Sequence, residues 1–204
     1  MQELIMVRSS RWFSAFMAGL FALLLSAGAF AAEAETFVKS KQNELTVLLK
    51  QPKSNAVEQK IGQVFDQMLD YHGLAKDSLG DFWSELTPPQ QQEFESLLKD
   101  LVRRAYRKNL RKTLDYEVAF QGEVKADRGQ LVRTVARNKS NKREEPISVD
   151  YVLHQVSGEW RVYDIVTEGS SLLKNYQDQF RRIIKKKGFD ELLRRMRRKV
   201  ETDS

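Results

Sequence analysis

Residues 146–173 read PISVDYVLHQVSGEWRVYDIVTEGSSLL, and this stretch contains two strands, the turn between them and the start of a helix. Apolar side chains alternate from Ile147 to Leu153, which is the period of a strand that buries one face. Ser157-Gly158-Glu159 then predicts a tight turn into a second strand that begins at Trp160. The stretch is therefore a β-hairpin followed by a helix, and the sheet built on this hairpin decides how the remaining elements pack.

The second strand of this hairpin is apolar or aromatic on both sides. Strict alternation puts Trp160, Val162 and Val166 on one face. It puts Tyr163 and Ile165 on the other face. A strand with two apolar faces is expected to be covered on both of them.

Two further strands are predicted upstream of the hairpin. Tyr116, Val118 and Phe120 alternate with polar residues, and Asp127-Arg128-Gly129 then predicts a turn. A second strand runs from Leu131 to Ala136. With the hairpin, these strands predict an antiparallel meander of about four strands.

Helical spacing of apolar residues flanks the strands on both sides. It covers residues 37–49, 61–69 and 94–110 before the strands, and residues 172–184 and 192–200 after them. Runs of helices beside a run of antiparallel strands are typical of the α+β class. The predicted fold is a curved sheet with N-terminal and C-terminal helices packed against it.

Two helix starts carry cap signals. Asn55 is predicted to cap the second helix. Thr87-Pro88-Pro89-Gln90 is a capping box, in which Thr87 accepts from first-turn amides and Gln90 bonds back to the cap.

The N-terminus predicts export. Two arginines precede an apolar run from Trp12 to Leu25, and small residues lead to Ala29-Phe30-Ala31. This order is typical of a secretory signal peptide covering residues 1–31, with residues 32–204 as a single mature domain in the periplasm. The alternative is an uncleaved membrane anchor, because the apolar character approaches the ~18 residues that a spanning helix needs.

The composition excludes several kinds of chemistry. The chain has no cysteine, so a disulfide, a thiolate nucleophile and a cysteine-linked lipid anchor are ruled out. The formal net charge is +6, and many of the basic residues lie near the C-terminus. Export makes nucleic acid an unexpected partner, whereas an anionic membrane surface and a solvated helix face both stay open. This basic group contains Arg181, Arg182, Lys185, Lys186, Lys187, Arg194, Arg195, Arg197, Arg198 and Lys199.

Three stretches together resemble the MlaC family, the periplasmic phospholipid shuttles also known as toluene-tolerance substrate-binding proteins. The first is Leu79–Gln90 (LGDFWSELTPPQ), continuing to Glu93-Phe94 and Tyr106, and the second is Pro146–Leu153. The third is Gly158–Ile165, followed by Glu168–Leu172 and Asn175–Phe180. Within the third stretch, a serine stands at position 170 where the family usually has a small apolar residue, and a glutamine stands at 177 where arginine is common.

The resemblance implies an NTF2-like cone of sheet and helices around an apolar cavity. It implies a carrier, not an enzyme, with bound phospholipid and no other cofactor. The implied partners are an inner-membrane ABC transporter complex with a membrane-anchored substrate-binding subunit, and an outer-membrane lipoprotein and porin complex.

The cost of exposing acyl chains sets what such a carrier needs. A diacyl lipid has on the order of 30 methylenes, and each costs ~0.8 kcal/mol to expose, so the chains must be enclosed. The candidate cavity walls are Phe65, Leu69, Phe82, Trp83, Leu98, Leu101, Tyr151, Leu153, Trp160, Val162, Ile165, Leu172, Tyr176, Phe180 and Ile183. Periodicity does not separate a cavity wall from ordinary core, so both interpretations stay open for each of them. Arg161 and Lys174 are the candidate head-group residues, with solvated surface charge as the alternative.

Catalytic motifs are weak. His72 and His154 are the only histidines, and neither has metal-ligand spacing. A general base could come from Asp77, Asp81 or Asp164, and Asp164 is favoured because it lies in a strand beside the apolar region. One alternative function is a lipid-modifying or steroid-modifying enzyme that uses one of these carboxylates. The other is a basic membrane-surface adaptor that uses the basic group near the C-terminus.

Overall fold

The computed structural model describes residues 26–202, apart from the side chains of 26–32 and 107–109. Most of the predicted signal peptide, residues 1–25, lies outside the described residues, so that assignment stays a prediction. Seven helices are described: α1 Ser26–Leu49, α2 Asn55–Met68, α3 Tyr71–Leu79, α4 Phe82–Glu85, α5 Pro88–Leu110, α6 Leu172–Lys187 and α7 Phe189–Thr202. A short 3-10 helix, Arg111–Asp115, follows α5. The strands are β1 Tyr116–Lys125, β2 Gln130–Asn138, β3 Ile147–Val156, β4 Glu159–Thr167 and β5 Ser170–Ser171.

The five strands form one antiparallel sheet in the order β1-β2-β3-β4-β5. The α+β prediction is confirmed, and so is the order of helices, strands and helices. The predicted four strands are the four long ones, and β5 adds only two residues beside the end of β4. The connection from β5 to α6 is immediate, which places α6 against the sheet.

A β-bulge at Tyr163 changes which residues of β4 share a face. Leu153 pairs with Val162, and Tyr151 pairs with Ile165, so β4 has one more residue than β3 between these pairs. Val162 and Ile165 therefore lie on the same face, toward the helices. The prediction that Val162 and Val166 share a face is wrong, because strict alternation does not hold across a bulge.

The two cap predictions have different outcomes. Ser54 caps α2, since its Oγ accepts from the N–H of Val57 at 3.3 Å, so the predicted cap Asn55 is wrong by one residue. At α5, the N–H of Thr87 donates to Oε1 of Gln90 at 2.9 Å, which confirms the returning bond of the capping box. The other half of the prediction is wrong, because the Thr87 hydroxyl donates to the same Gln90 oxygen at 3.0 Å instead of accepting from a first-turn amide.

The core lies between the helices and the inner face of the sheet. Phe94 and Leu98 from α5, Leu153 from β3 and Leu192 from α7 are all at most 1% exposed. A parallel bridge joins Leu69, at the end of α2, to Val162 of β4. The N-terminal helices are thus fixed directly to the sheet that they cover. Across residues 26–202, no helix combines the length and the apolar character needed to cross a bilayer.

Candidate functional site

A cavity of about 430 Å³ lies between the inner face of the sheet and helices α1, α2 and α5. We call it the sheet-side cavity. Its buried end is formed by Val38, Phe65, Met68 and Leu69, which are at most 8% exposed. Strand residues Val118, Ala136, Ile147, Val149, Tyr151 and Ile165 line its opposite wall. Both the volume and the apolar lining are typical of ligand sites in proteins, which measure ~300–1,000 Å³.

The sheet-side cavity reaches solvent where the 3-10 helix meets the ends of α1 and β2. Its exposed lining residues are Lys50, Lys112, Thr113, Lys139 and Thr167, and we call them the mouth. The Nζ of Lys139 donates to the carbonyl of Leu114 at 2.6 Å, which ties the end of β2 to the 3-10 helix. An apolar interior with lysines at its opening is suited to a ligand with a hydrocarbon part and an anionic end.

The polar groups inside this cavity are uncharged at neutral pH. Burial raises the pKa of Tyr151 to about 12, so its hydroxyl keeps its proton. The hydroxyl of Thr134 donates to the carbonyl of Val149, so it is already satisfied. Among the lining residues at the buried end, all side chains are apolar, and hydrocarbon can occupy this space without burying a charge.

A second cavity, of about 990 Å³, lies between α2, α5, α6 and α7. We call it the helix-side cavity. Apolar side chains from each helix line it: Ile61, Leu101, Ala105, Tyr176, Phe180, Ile183, Leu192 and Met196. Five basic residues, Lys53, Arg104, Arg111, Arg195 and Lys199, also line it, with one acidic residue, Glu58. It is larger and more basic than the sheet-side cavity.

The two cavities are neighbours. Leu49, at the end of α1, and Leu110, at the end of α5, line both of them. Deeper in, the rings of Phe65 and Tyr106 stack with their centroids 5.4 Å apart. Burial raises the pKa of Tyr106, so this stack is also uncharged. We call Leu49 and Leu110 the partition.

The predicted wall residues fall into three groups. Four of them line the sheet-side cavity: Phe65, Leu69, Tyr151 and Ile165. Four line the helix-side cavity: Leu101, Tyr176, Phe180 and Ile183. The other seven line neither cavity. Six of them pack in or against the core: Phe82, Trp83, Leu98, Leu153, Trp160 and Val162. Trp83 also lines a shallow surface pocket, and Leu172 is half-buried at the start of α6.

The predicted head-group residues lie away from both cavities. The guanidinium of Arg161 donates to its neighbour Glu159, with a separation of 2.5 Å, and to the carbonyl of Trp160 at 3.0 Å. Lys174 is exposed on the first turn of α6. The basic residues that line the cavities come instead from the segment after α1, the 3-10 helix, the end of β2, and helices α5 and α7.

The candidate catalytic residues have structural partners. His154 Nε2 lies 2.7 Å from Oδ2 of Asp70, whose other oxygen accepts from the N–H of Gly73 at the start of α3. His72 Nδ1 lies 3.0 Å from the carboxylate of Glu95 on the surface. Asp164 accepts from Ser171 and from the N–H of Leu173.

The other two acidic candidates line neither cavity. Asp77 forms an ion pair with Arg128, and Asp81 is exposed at the start of α4. Within the described part of the chain, no group of three or more histidine, aspartate or glutamate residues could hold a metal ion.

Sequence reasoning missed the residues at the open end of the sheet-side cavity. Ile147 and Val149 carried the period-two signal of an inward face, as did Tyr116 and Val118, but periodicity does not report whether a neighbour fills the space beside them. The mouth lysines carried no signal, because the approach of Lys112 and Lys139 to one opening depends on the tertiary fold.

The fold and these two cavities define a small α+β binding protein for a ligand that is largely apolar and anionic at one end. The family model for MlaC protein matches residues 39–198. The chain therefore belongs to the MlaC family.

Two relatives extend this comparison. A curated protein of Pseudomonas putida, "Toluene tolerance protein ttg2D", is 24% identical over 182 residues, which is 84% of either chain. A solved structure of a phospholipid-binding protein from Ralstonia solanacearum, in complex with a phospholipid, is 27% identical with a TM-score of 0.71, and the alignment covers 83% of this chain and 98% of that one.

Proposed function

We propose that this protein is a soluble periplasmic carrier that binds glycerophospholipid and moves it between the two membranes. The observation that carries the proposal is the sheet-side cavity, whose apolar interior leads to a mouth of exposed lysines. Membership of the MlaC family and similarity to a protein solved with a phospholipid support it. Binding and release need no covalent step, so the activity requires no catalytic residue.

The energetics favour enclosure. On the order of 30 methylenes at ~0.8 kcal/mol each would cost about 25 kcal/mol if both acyl chains faced water. Burial in the protein must nearly match burial in a bilayer, since otherwise loading or unloading would be prohibitively unfavourable. Contacts with a partner that change this balance by a few kcal/mol are then enough to drive transfer.

The proposal also includes a cellular location and partner complexes. The predicted signal peptide would place residues 32–204 in the periplasm. There the carrier would exchange lipid with an ABC transporter complex in the inner membrane and with a lipoprotein and porin complex in the outer membrane. Family membership supports these partners.

Native mass spectrometry of the mature chain, purified without detergent, tests the proposal. We expect a mass increment equal to a phospholipid, identified after release. Val149→Trp fills the sheet-side cavity and should remove the increment, whereas Val156→Trp on the exposed end of the same strand should retain it. A wild-type protein that is folded and empty, even after incubation with phospholipid vesicles, would contradict the carrier function.

A basic membrane-surface adaptor is the second candidate, and one observation favours it. Lys185, Lys186 and Lys187 are all exposed at the end of α6, beside the basic face of α7. An adaptor would bind anionic liposomes with a strong dependence on salt while its interior stayed free of lipid. The native mass spectrum separates the two candidates.

A further inference from the structure

Near each leucine of the partition, successive residues of the chain line different cavities. Leu49 lines both cavities, Lys50 lines only the sheet-side cavity, and Lys53 lines only the helix-side cavity. The same happens after α5. Leu110 lines both, Arg111 lines the helix-side cavity, and Lys112 lines the sheet-side cavity. Each cavity therefore has basic residues beside the shared leucines.

The partition is held together by Arg111. Its Nη1 donates to the carbonyl of Leu49 at 2.6 Å, which fixes the 3-10 helix to the end of α1. Its Nη2 is buried without a hydrogen-bond partner and lies 3.9 Å from a carboxylate oxygen of Glu58. The side chains of Lys50, Lys53 and Lys112 form no ion pair among the side chains that the structure describes. A buried donor without a hydrogen-bond acceptor, at a partition whose two cavities are also lined by three unpaired lysines, favours an anion at this position.

We propose that one diacyl phospholipid binds across the partition, with one acyl chain in each cavity. Its phosphate lies over Leu49 and Leu110 and is bound by Lys50, Lys53 and Lys112. This inference rests on the proposed carrier function and assigns a subsite to each chain. The glycerol backbone, at which two chains and one phosphate diverge, matches the meeting of two apolar cavities and one basic cluster.

The apolar walls of the helix-side cavity support this division. Leu101, Tyr176 and Ile183 are only partly buried, and Phe180 and Leu192 beside them are at most 3% exposed. If both chains entered the sheet-side cavity, the apolar surface of the helix-side cavity would remain against water. Hydrocarbon in both cavities removes more apolar surface from water than hydrocarbon in one, at ~25 cal/mol per Å².

Three alanine-to-tryptophan substitutions test the division. Ala105 lines the helix-side cavity, Ala136 lines the sheet-side cavity, and Ala119 is exposed on the outer face of β1. Each purified variant is delipidated and checked by circular dichroism. It is then titrated with palmitoyl-oleoyl phosphatidylglycerol, which has two chains, and with palmitoyl lysophosphatidylglycerol, which has one.

We expect Ala105→Trp and Ala136→Trp each to weaken binding of the two-chain lipid at least tenfold while still binding the one-chain lipid. Ala119→Trp should match the wild type for both. Wild-type affinity of Ala105→Trp for the two-chain lipid would overturn the inference, since the helix-side cavity would then be unused. A wild type that bound neither lipid would instead contradict the carrier function itself.

A second measurement uses the unaltered protein, so it does not depend on how the variants fold. A phosphatidylglycerol with a diazirine on both acyl chains is loaded, photolysed and mapped by peptide mass spectrometry. The division predicts adducts both on strand residues such as Val118 and Val149 and on helix residues such as Phe180 and Met196. Adducts confined to one of these two sets would overturn it.

Discussion

The hydroxyl of Ser171 donates a hydrogen bond to Oδ2 of Asp164 over 2.6 Å, and this contact joins β4 to the start of α6. The other carboxylate oxygen accepts from the N–H of Leu173 at 2.9 Å, while Ser171 Oγ accepts from the N–H of Lys174 at 3.0 Å. Both residues satisfy the free amides of the first helical turn. Asp164, the residue that sequence reasoning favoured as a general base, is therefore occupied in capping a helix.

Replacing Asp164 with asparagine should reduce stability and leave lipid binding in place. Asparagine keeps one acceptor oxygen but loses the second and the negative charge, so it does not accept from both the Ser171 hydroxyl and the N–H of Leu173. We expect the free energy of unfolding to fall by about 1–2 kcal/mol in chemical denaturation. Asp178→Asn on the exposed side of α6 is the control and should be neutral. Unchanged stability of Asp164→Asn, with loss of turnover of an apolar substrate, would favour the enzyme alternative.

Gly129 is required by a close backbone approach in the turn between β1 and β2. A Cβ at this position would lie 1.9 Å from the carbonyl oxygen of Leu153, and the φ angle is +83°. Gly158 has the same φ angle of +83°, but a Cβ there would meet nothing within 4 Å.

Substituting alanine for each of these two glycines distinguishes the cost of a steric clash from the cost of backbone strain. Gly158→Ala should cost about 1 kcal/mol, the usual cost of a left-handed conformation for a residue with a side chain. Gly129→Ala adds a collision with β3, so we expect a loss of about 3 kcal/mol or more, measured by urea denaturation. Equal losses for the two variants would show that the approach of Leu153 to the turn is less close than described.

Burial of Tyr151 makes the stability of the protein fall at alkaline pH. Its pKa is raised to about 12 by burial, whereas in the unfolded chain it ionises near pH 10. The unfolded state therefore loses its proton first, and the stabilisation that is complete below pH 10 is lost as the pH rises toward 12.

Tyr151→Phe removes this dependence. Between pH 8.5 and 11.5 the free energy of unfolding should fall by about 2 kcal/mol less in the variant than in the wild type, from guanidinium titrations at each pH. The comparison is Tyr116→Phe at the cavity opening, where the pKa is raised chiefly by the hydrogen bond to Glu144, so this variant should remove a smaller part of the pH dependence than Tyr151→Phe does. Parallel pH profiles for Tyr151→Phe and the wild type would mean that water reaches the Tyr151 hydroxyl freely.

The position of the head group gives a further prediction. Reversing two charges at the partition, with Lys53→Glu and Lys112→Glu together, should weaken binding of phosphatidylglycerol about tenfold, because charge-assisted contacts to the phosphate become repulsive. Lys174→Glu, at one of the two candidate head-group positions considered from the sequence, is the matched control and should bind as the wild type does. The measurement is transfer of lipid from vesicles at fixed ionic strength. Loss of binding in Lys174→Glu alone would restore the first assignment.

Local patterns in the sequence were enough to predict the order of elements and the sheet. The hairpin at Ser157-Gly158-Glu159 and the alternation from Ile147 to Leu153 depend on neighbours in the chain, and both agree with the structure. The prediction of which β4 residues share a face was wrong, because the bulge at Tyr163 is set by pairing with β3. A one-residue insertion reverses the side-chain direction, so Val166 leaves the face of Val162.

The candidate site was less accessible to the same reasoning. Phe65 and Leu98 both belong to regular apolar stripes, yet Phe65 lines a cavity and Leu98 is fully enclosed. The difference lies in whether facing elements leave a gap, and this depends on how far α1, α5 and the sheet are apart. The basic cluster at the partition is likewise assembled from segments about 60 residues apart, Lys50 to Lys53 and Arg111 to Lys112.

Two leucines on α5 allow core and cavity wall to be distinguished by experiment. Leu98 is 0% exposed and packs in the core, whereas Leu101, one turn later, is partly buried and lines the helix-side cavity. Leu98→Ala leaves a void among close-packed side chains and should cost about 3 kcal/mol of unfolding free energy without changing the lipid content.

Leu101→Ala only enlarges a space that already exists. Its stability cost should be about 1 kcal/mol, because fewer packing contacts are lost, while the affinity for a diacyl lipid should fall measurably as the wall retreats from the acyl chain. Denaturation and lipid titration of both variants check this. If Leu98→Ala emptied the protein of lipid while Leu101→Ala left binding unchanged, the hydrocarbon would have to contact the core side of α5 and the helix-side cavity would not be part of the binding site.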